Sequence, residues 1–182
     1  DSKDQKDRDR ALAALERLIV GKPAPKFELR GLRRDVVSSK DLKDTVTVLH
    51  FWEYRDSPLR EPYGQIGYLD YLNRRFKEKN VAIFGVMVDE RIGNPATLGR
   101  ARASARKLKA FMNLSYNVLL DEGSLLKQFG DPRVTGAKLP LYVVFDASGK
   151  VVHYHSGFYE IDRDHGLKEL ADVIMKSLET GE

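Results

Sequence analysis

Apolar residues in this chain alternate between helical and extended spacing. After a polar start, DSKDQKDRDR, the residues Ala11, Leu12, Ala14, Leu15, Leu18 and Ile19 recur three or four apart and predict an amphipathic helix over 6–20. Gly21-Lys22-Pro23-Ala24-Pro25 ends it, because proline cannot continue a helix. Short extended pieces are predicted at Lys26–Arg30 and Asp35–Ser38, followed by a helical turn at Ser39–Leu42. Val46–Tyr54 (VTVLHFWEY) and Val81–Val88 (VAIFGVMV) are apolar almost throughout, as strands covered on both faces should be. Between them Leu59, Tyr63, Ile66, Leu69, Leu72 and Phe76 predict a helix over Pro58–Lys79. Further helices are predicted at Thr97–Met112, Ser124–Gly130 and Asp164–Glu179, with a short extended piece at Asn117–Leu120. Leu141–Asp146 and Lys150–Ser156 flank Ala147-Ser148-Gly149 as a hairpin.

The order β-α-β-α-(short)-β-β-α, after an N-terminal helix and a small hairpin, predicts an α/β fold. Its mixed central sheet is flanked by helices on both sides in three layers. At 182 residues, with no repeat or linker, one domain over 21–182 and a helical extension over 1–20 are expected. The chain begins at Asp1 rather than Met. A removed upstream segment is therefore expected, and a membrane would be met only through an N-terminal anchor lying there.

Composition changes this picture in one decisive way. The chain has no cysteine, which excludes a thiol nucleophile, a dithiol redox centre, disulfides and thiolate-ligated metals. The net charge of +4 is mildly basic, well short of the excess carried by dedicated nucleic-acid binders. No stretch approaches the about 18 consecutive apolar residues of a membrane span.

Four pieces then carry a resemblance. Gly21-Lys22-Pro23-Ala24-Pro25-Lys26-Phe27-Glu28-Leu29 is similar to an opening GxPAPxFxL. Val48–Trp52 is similar to a strand ending in FW before a WCxxC turn, and Val86-Met87-Val88-Asp89 to a second strand ending in VD. Leu139-Pro140, running through Asp146-Ala147-Ser148-Gly149-Lys150, is similar to a cis-proline segment followed by a DxxGK hairpin. Over about residues 21 to 178 the chain resembles the thioredoxin-like fold. The nearest likeness is to TlpA/ResA-type thiol–disulfide oxidoreductases of the wider AhpC/TSA redoxin group. Where that group has W-C-x-x-C-R, this chain has Arg55-Asp56-Ser57-Pro58-Leu59-Arg60, with Asp56 and Leu59 at the cysteine positions. Pro62 also stands nearer this motif than the group's helix-kinking proline. Disarming by design installs Ser or Ala, so Asp and Leu point to a natural loss.

The resemblance implies an extracytoplasmic setting, periplasmic or membrane-tethered, and a groove beside Pro140 that takes an extended peptide as an added strand. Without a thiolate, the group's thiol–disulfide exchange and its peroxidase chemistry are not carried over. No cofactor is expected. The candidate binding residues are Arg55, Asp56, Ser57, Pro58, Leu59, Arg60, Glu90, Leu139 and Pro140.

Asp56 also has a purely structural reading, as the N-cap of a helix that Pro58 enters in its first turn. The resemblance puts Leu59 in packing, and Arg60 beside Asp89 or Glu90 in an ion-pair network. The alternative function is a cysteine-independent enzyme, or a metal or small-ligand binder, built on Asp56, Asp89 and Glu90. His153 and His155 share one strand face and form a possible metal pair, yet no third ligand is evident, so surface packing is the expectation. His50 is expected to be buried and hydrogen-bonded, and His165 has no assigned role. Arg100, Arg102, Arg106, Lys107 and Lys109 give helix 97–112 a basic face, solvated by default and open to an acidic partner. Nothing resembles a recognition helix or an RNP motif, which argues against nucleic acid.

Overall fold

The sheet is built around β3 (Val46–Glu53) and β4 (Val81–Val88), the two segments whose composition is most strongly β. They pair in parallel from Val46 opposite Val81 to Glu53 opposite Val88. In this computed structural model, which describes residues 2–53 and 65–181, seven strands form one sheet in the order β2-β1-β5-β4-β3-β6-β7. The others are β1 (Glu28–Gly31), β2 (Val36–Ser38), β5 (Asn117–Asp121), β6 (Leu141–Phe145) and β7 (Val151–Ser156). β5 runs parallel to β4; β1, β2, β6 and β7 pair antiparallel. The sheet is therefore mixed, as expected.

Alternation along β3 sorts the core. Val46, Val48 and Trp52 face one side, where α2 (Ile66–Arg75), α3 (Pro95–Met112) and α5 (Lys168–Glu179) cover them. Leu49 and Phe51 face the other, against Leu125, Leu126 and Phe129 of α4 (Ser124–Phe129) and, from α1 (Ser2–Ile19), Leu12, Leu15 and Ile19. This is the three-layer α/β fold of the thioredoxin-like class. Gly85 of β4 has a packing reason: a Cβ there would come within 3.1 Å of the Tyr116 ring and 3.3 Å of the Trp52 indole nitrogen.

Several predicted boundaries move for local reasons. α1 starts at Ser2 rather than residue 6, supported by i,i+4 pairing of Gln5 with Asp9 (2.8 Å). α3 starts at Pro95 rather than Thr97, because the Asn94 side chain accepts from the Ala96 N–H at 2.9 Å. α2 ends at Arg75 instead of Lys79: the Lys77 N–H turns to the Arg74 carbonyl, and Asn80 gives its carbonyl to Val46. The predicted start of that helix, Pro58 to Gly64, lies outside the described residues. α5 starts at Lys168, not Asp164. Asp162 accepts from the backbone N–H groups of Asp164 and His165 and closes a turn that Gly166 completes at φ +62°.

Candidate functional site

The carboxyl ends of β3 and β4 open together, the place where open α/β sheets usually take their ligands. Glu53 closes β3 opposite Val88, and Phe51 pairs with Leu141, so Leu139 and Pro140 enter β6 beside the end of β3. The Leu139–Pro140 peptide bond is cis, as the resemblance implies. Pro140 is buried, and Leu139 is half-buried against the side of the core that α4 covers. The Pro140 carbonyl accepts from the Gly157 N–H at 2.7 Å, and the Lys138 carbonyl from the Ser156 hydroxyl at 3.1 Å. Both bonds anchor this rim to β7.

Charge at this end is organised by arginines. The Arg133 guanidinium contacts both Glu53 and Asp131, forked onto the latter at 2.7 and 3.0 Å. Burial opposes the Asp131 charge, yet hydrogen bonds from the Arg133 side chain and backbone hold its carboxyl below the usual range. Asp89 is likewise engaged by its neighbour. It accepts from the Arg91 N–H at 2.9 Å and from the Arg91 guanidinium at 2.6 Å, capping the 3-10 turn Glu90–Gly93. Arg91, a basic residue with no pairing assigned from the sequence, therefore holds Asp89, while Glu90 is exposed; the expected partner, Arg60, lies outside the described residues. Arg55, Asp56, Ser57, Pro58, Leu59 and Arg60 lie outside the described residues.

Immediately beyond that segment stands a residue the sequence reading missed. Gln65 is buried at φ +62° and links three elements. Its Oε1 accepts from the Tyr142 hydroxyl and from the Tyr159 N–H, both at 3.1 Å. Its Nε2 donates to the Tyr159 carbonyl at 2.8 Å. Burial pushes both phenols well up, so the Tyr142 hydroxyl keeps the proton it donates. Nothing in Tyr63-Gly64-Gln65-Ile66 marks the glutamine; its partners lie 77 and 94 residues away.

The histidines extend from this network. His50, Tyr142 and His155 occupy one row across β3, β6 and β7. His50 is fully buried and stacks on Tyr142 at 4.6 Å. Contrary to expectation, neither of its ring nitrogens has a hydrogen-bond partner among the described residues. Desolvation pushes its pKa down to about 3 and keeps it neutral.

His153 and His155 do share one face of β7, but they are half-buried rather than at the surface. The His155 ring stacks on Tyr159 at 4.0 Å, and His153 Nε2 hydrogen-bonds the Tyr159 hydroxyl at 2.8 Å. The third group absent from the sequence reading is Glu169 of α5, which meets both histidines. Burial pushes the His153 pKa down; Glu169 acts against this and His155 with it. His165 pairs with Asp162 at 2.8 Å in the turn before α5.

The basic face of α3 is partly committed to the fold. Arg106 donates to the Leu32 carbonyl at 2.8 Å, and Arg102 is half-buried. Arg100 and Lys107 remain exposed. Among the described residues no helix is long and apolar enough to cross a membrane.

Comparison with known proteins adds three findings. The model of the AhpC/TSA family matches residues 20–154. Thiol-disulfide oxidoreductase ResA of Bacillus cereus is 28% identical over 137 residues, covering 75% of this chain and 69% of that protein. The Bacillus thuringiensis ResA is 29% identical over 140 residues, with the same two coverages. Among solved structures, a putative thiol:disulfide interchange protein DsbE from Chlorobium tepidum aligns with a TM-score of 0.62 at 26% identity. That alignment covers 87% of this chain and 97% of the other. An uncharacterized conserved protein from Geobacillus kaustophilus shares the fold with a TM-score of 0.68 at 21% identity, over 88% and 82% of the two chains.

Proposed function

Because the chain belongs to the AhpC/TSA family and yet contains no cysteine, we propose that it is a redox-inactive thioredoxin-like module that binds a protein or an extended peptide. The occupied surface in this reading is the open sheet end beside Leu139 and Pro140, to which the family resemblance adds Arg55–Arg60. The missing cysteine carries the reading. The relatives are named for thiol–disulfide chemistry, and that chemistry needs a thiolate to attack sulfur. At the positions that resemble the family's cysteines the chain has Asp56 and Leu59. The thioredoxin-like fold of the described residues is retained, which favours a binding role over a decayed fold. Backbone strand addition needs no side-chain chemistry at all. The rival reading, acid–base or metal chemistry on Asp56, Asp89 and Glu90, is weakened because Arg91 occupies both oxygens of Asp89. An extracytoplasmic setting belongs to the same proposal and follows the resemblance to TlpA/ResA-type proteins.

Two assays test it. Reduction of insulin disulfides by dithiothreitol should run no faster with the protein than without it; turnover above blank would end the redox-inactive reading. A displayed peptide library panned on the immobilised protein should enrich extended apolar peptides, and Leu139→Asp should weaken their binding at least tenfold. No enrichment, or equal binding by the variant, would overturn the groove. Peptides lost instead on Arg100→Glu, Lys107→Glu would be acidic ligands of α3.

A further inference from the structure

We propose that His153, His155 and Glu169 form a binding site for a divalent late transition-metal ion of the zinc class, distinct from the sheet end described above. The three side chains come from two elements, β7 and the first turn of α5. Their potential ligand atoms all lie within 4.8 Å of one another. Two imidazoles and one carboxylate are the donor set of several zinc sites, and nitrogen and oxygen donors favour zinc or copper over calcium.

The surroundings match the needs of such a site. β7 is the edge of the sheet, with no further strand beside it among the described residues. The histidine rings lie nearly parallel, with an interplanar angle of 3°. Tyr159 fixes both: it stacks on His155 and hydrogen-bonds His153 Nε2, the kind of outer contact that sets the tautomer of a metal-binding imidazole.

Glu169 hydrogen-bonds neither imidazole among the described residues, and it is exposed. Ligand atoms on a tetrahedral zinc ion sit about 3.4 Å apart, given bonds of about 2.0–2.1 Å. A rotamer change of this exposed side chain closes the gap and leaves its outer side to water. Simple aromatic packing accounts for His155 on Tyr159, but it gives Glu169 no role.

The test is calorimetric titration of tag-free, chelator-stripped protein with zinc chloride, paired with native mass spectrometry. The site requires one zinc ion per chain, at least tenfold weaker binding in His155→Ala and in Glu169→Ala, and no change in His165→Ala. Glu169 is exposed, so its variant keeps the fold, and a circular dichroism spectrum checks this. Zinc should perturb the ring resonances of His153 and His155 and spare those of His165. Absence of bound zinc, calcium binding of equal strength, unaltered affinity in Glu169→Ala, or one ion shared by two chains would each overturn the proposal.

Discussion

Two buried polar residues carry sharp expectations. His50 is neutral in the folded chain, with its pKa near 3, and titrates near 6.5 when unfolded. The unfolded state therefore binds the extra proton as pH falls. The stability this contributes is complete above pH 6.5 and drains away as pH drops toward 3. By linkage the loss amounts to about 2 kcal/mol between pH 7 and pH 5. Urea unfolding of wild type and His50→Leu at both pH values should show a smaller loss in the variant. The depressed carboxylates, Asp70, Asp131 and Asp162, and the depressed His153 contribute equally to both proteins and cancel. Parallel losses would contradict this account. Gln65→Ala removes three hydrogen bonds and strands groups on Tyr142 and Tyr159. The expected cost is about 2–4 kcal/mol. Gln65→Asn tolerates the left-handed backbone but is one methylene too short, so it should lose as much; a mild Asn variant would show that backbone strain dominates. No signal in a single sequence marks Gln65, because its value comes from partners on β6 and in the 157–160 segment.

At the scale of elements, packing decides what periodicity proposes. α1 has no fully buried residue, yet its apolar stripe docks beside α4. The contact is close at Gly130, where φ is +88° and an added Cβ would come within 2.9 Å of Leu15. The Gly130 carbonyl also accepts from the Tyr154 hydroxyl at 2.5 Å. Gly130→Ala should destabilise by about 1–3 kcal/mol through strain and the clash. Adding Leu15→Ala should recover the clash part, giving a non-additive double-mutant cycle; strict additivity would mean that α1 does not press on this turn. The strands were legible nearly to the residue, since β3 and β4 are apolar almost throughout and covered on both faces. Helix starts were less legible. The α5 start was misread because the Asp162 turn competes with the helix for the same backbone N–H groups.

For the molecule as a whole, the thioredoxin-like fold is retained while the chain has no cysteine. If the sheet end is intact, Asp56→Cys, Leu59→Cys should restore a redox-active pair, measurable as insulin reduction above blank. A double variant that forms no disulfide and shows no turnover would mean that the sheet end has diverged beyond the two side chains.

Some of this was settled by the chain of letters alone. Zero cysteine excludes thiol chemistry without any coordinates, because composition is independent of conformation. The layered α/β fold was also readable, since hydrophobic period and strand order are local properties of the sequence. Tertiary structure decided the rest. It gave Asp89 to Arg91, left His50 without a hydrogen-bond partner among the described residues, and joined Gln65 to Tyr159. It also brought Glu169 from α5 to the histidines of β7. Each of these depends on which side chains the sheet and its covering helices bring together, and single-chain periodicity contains no record of such long-range pairs.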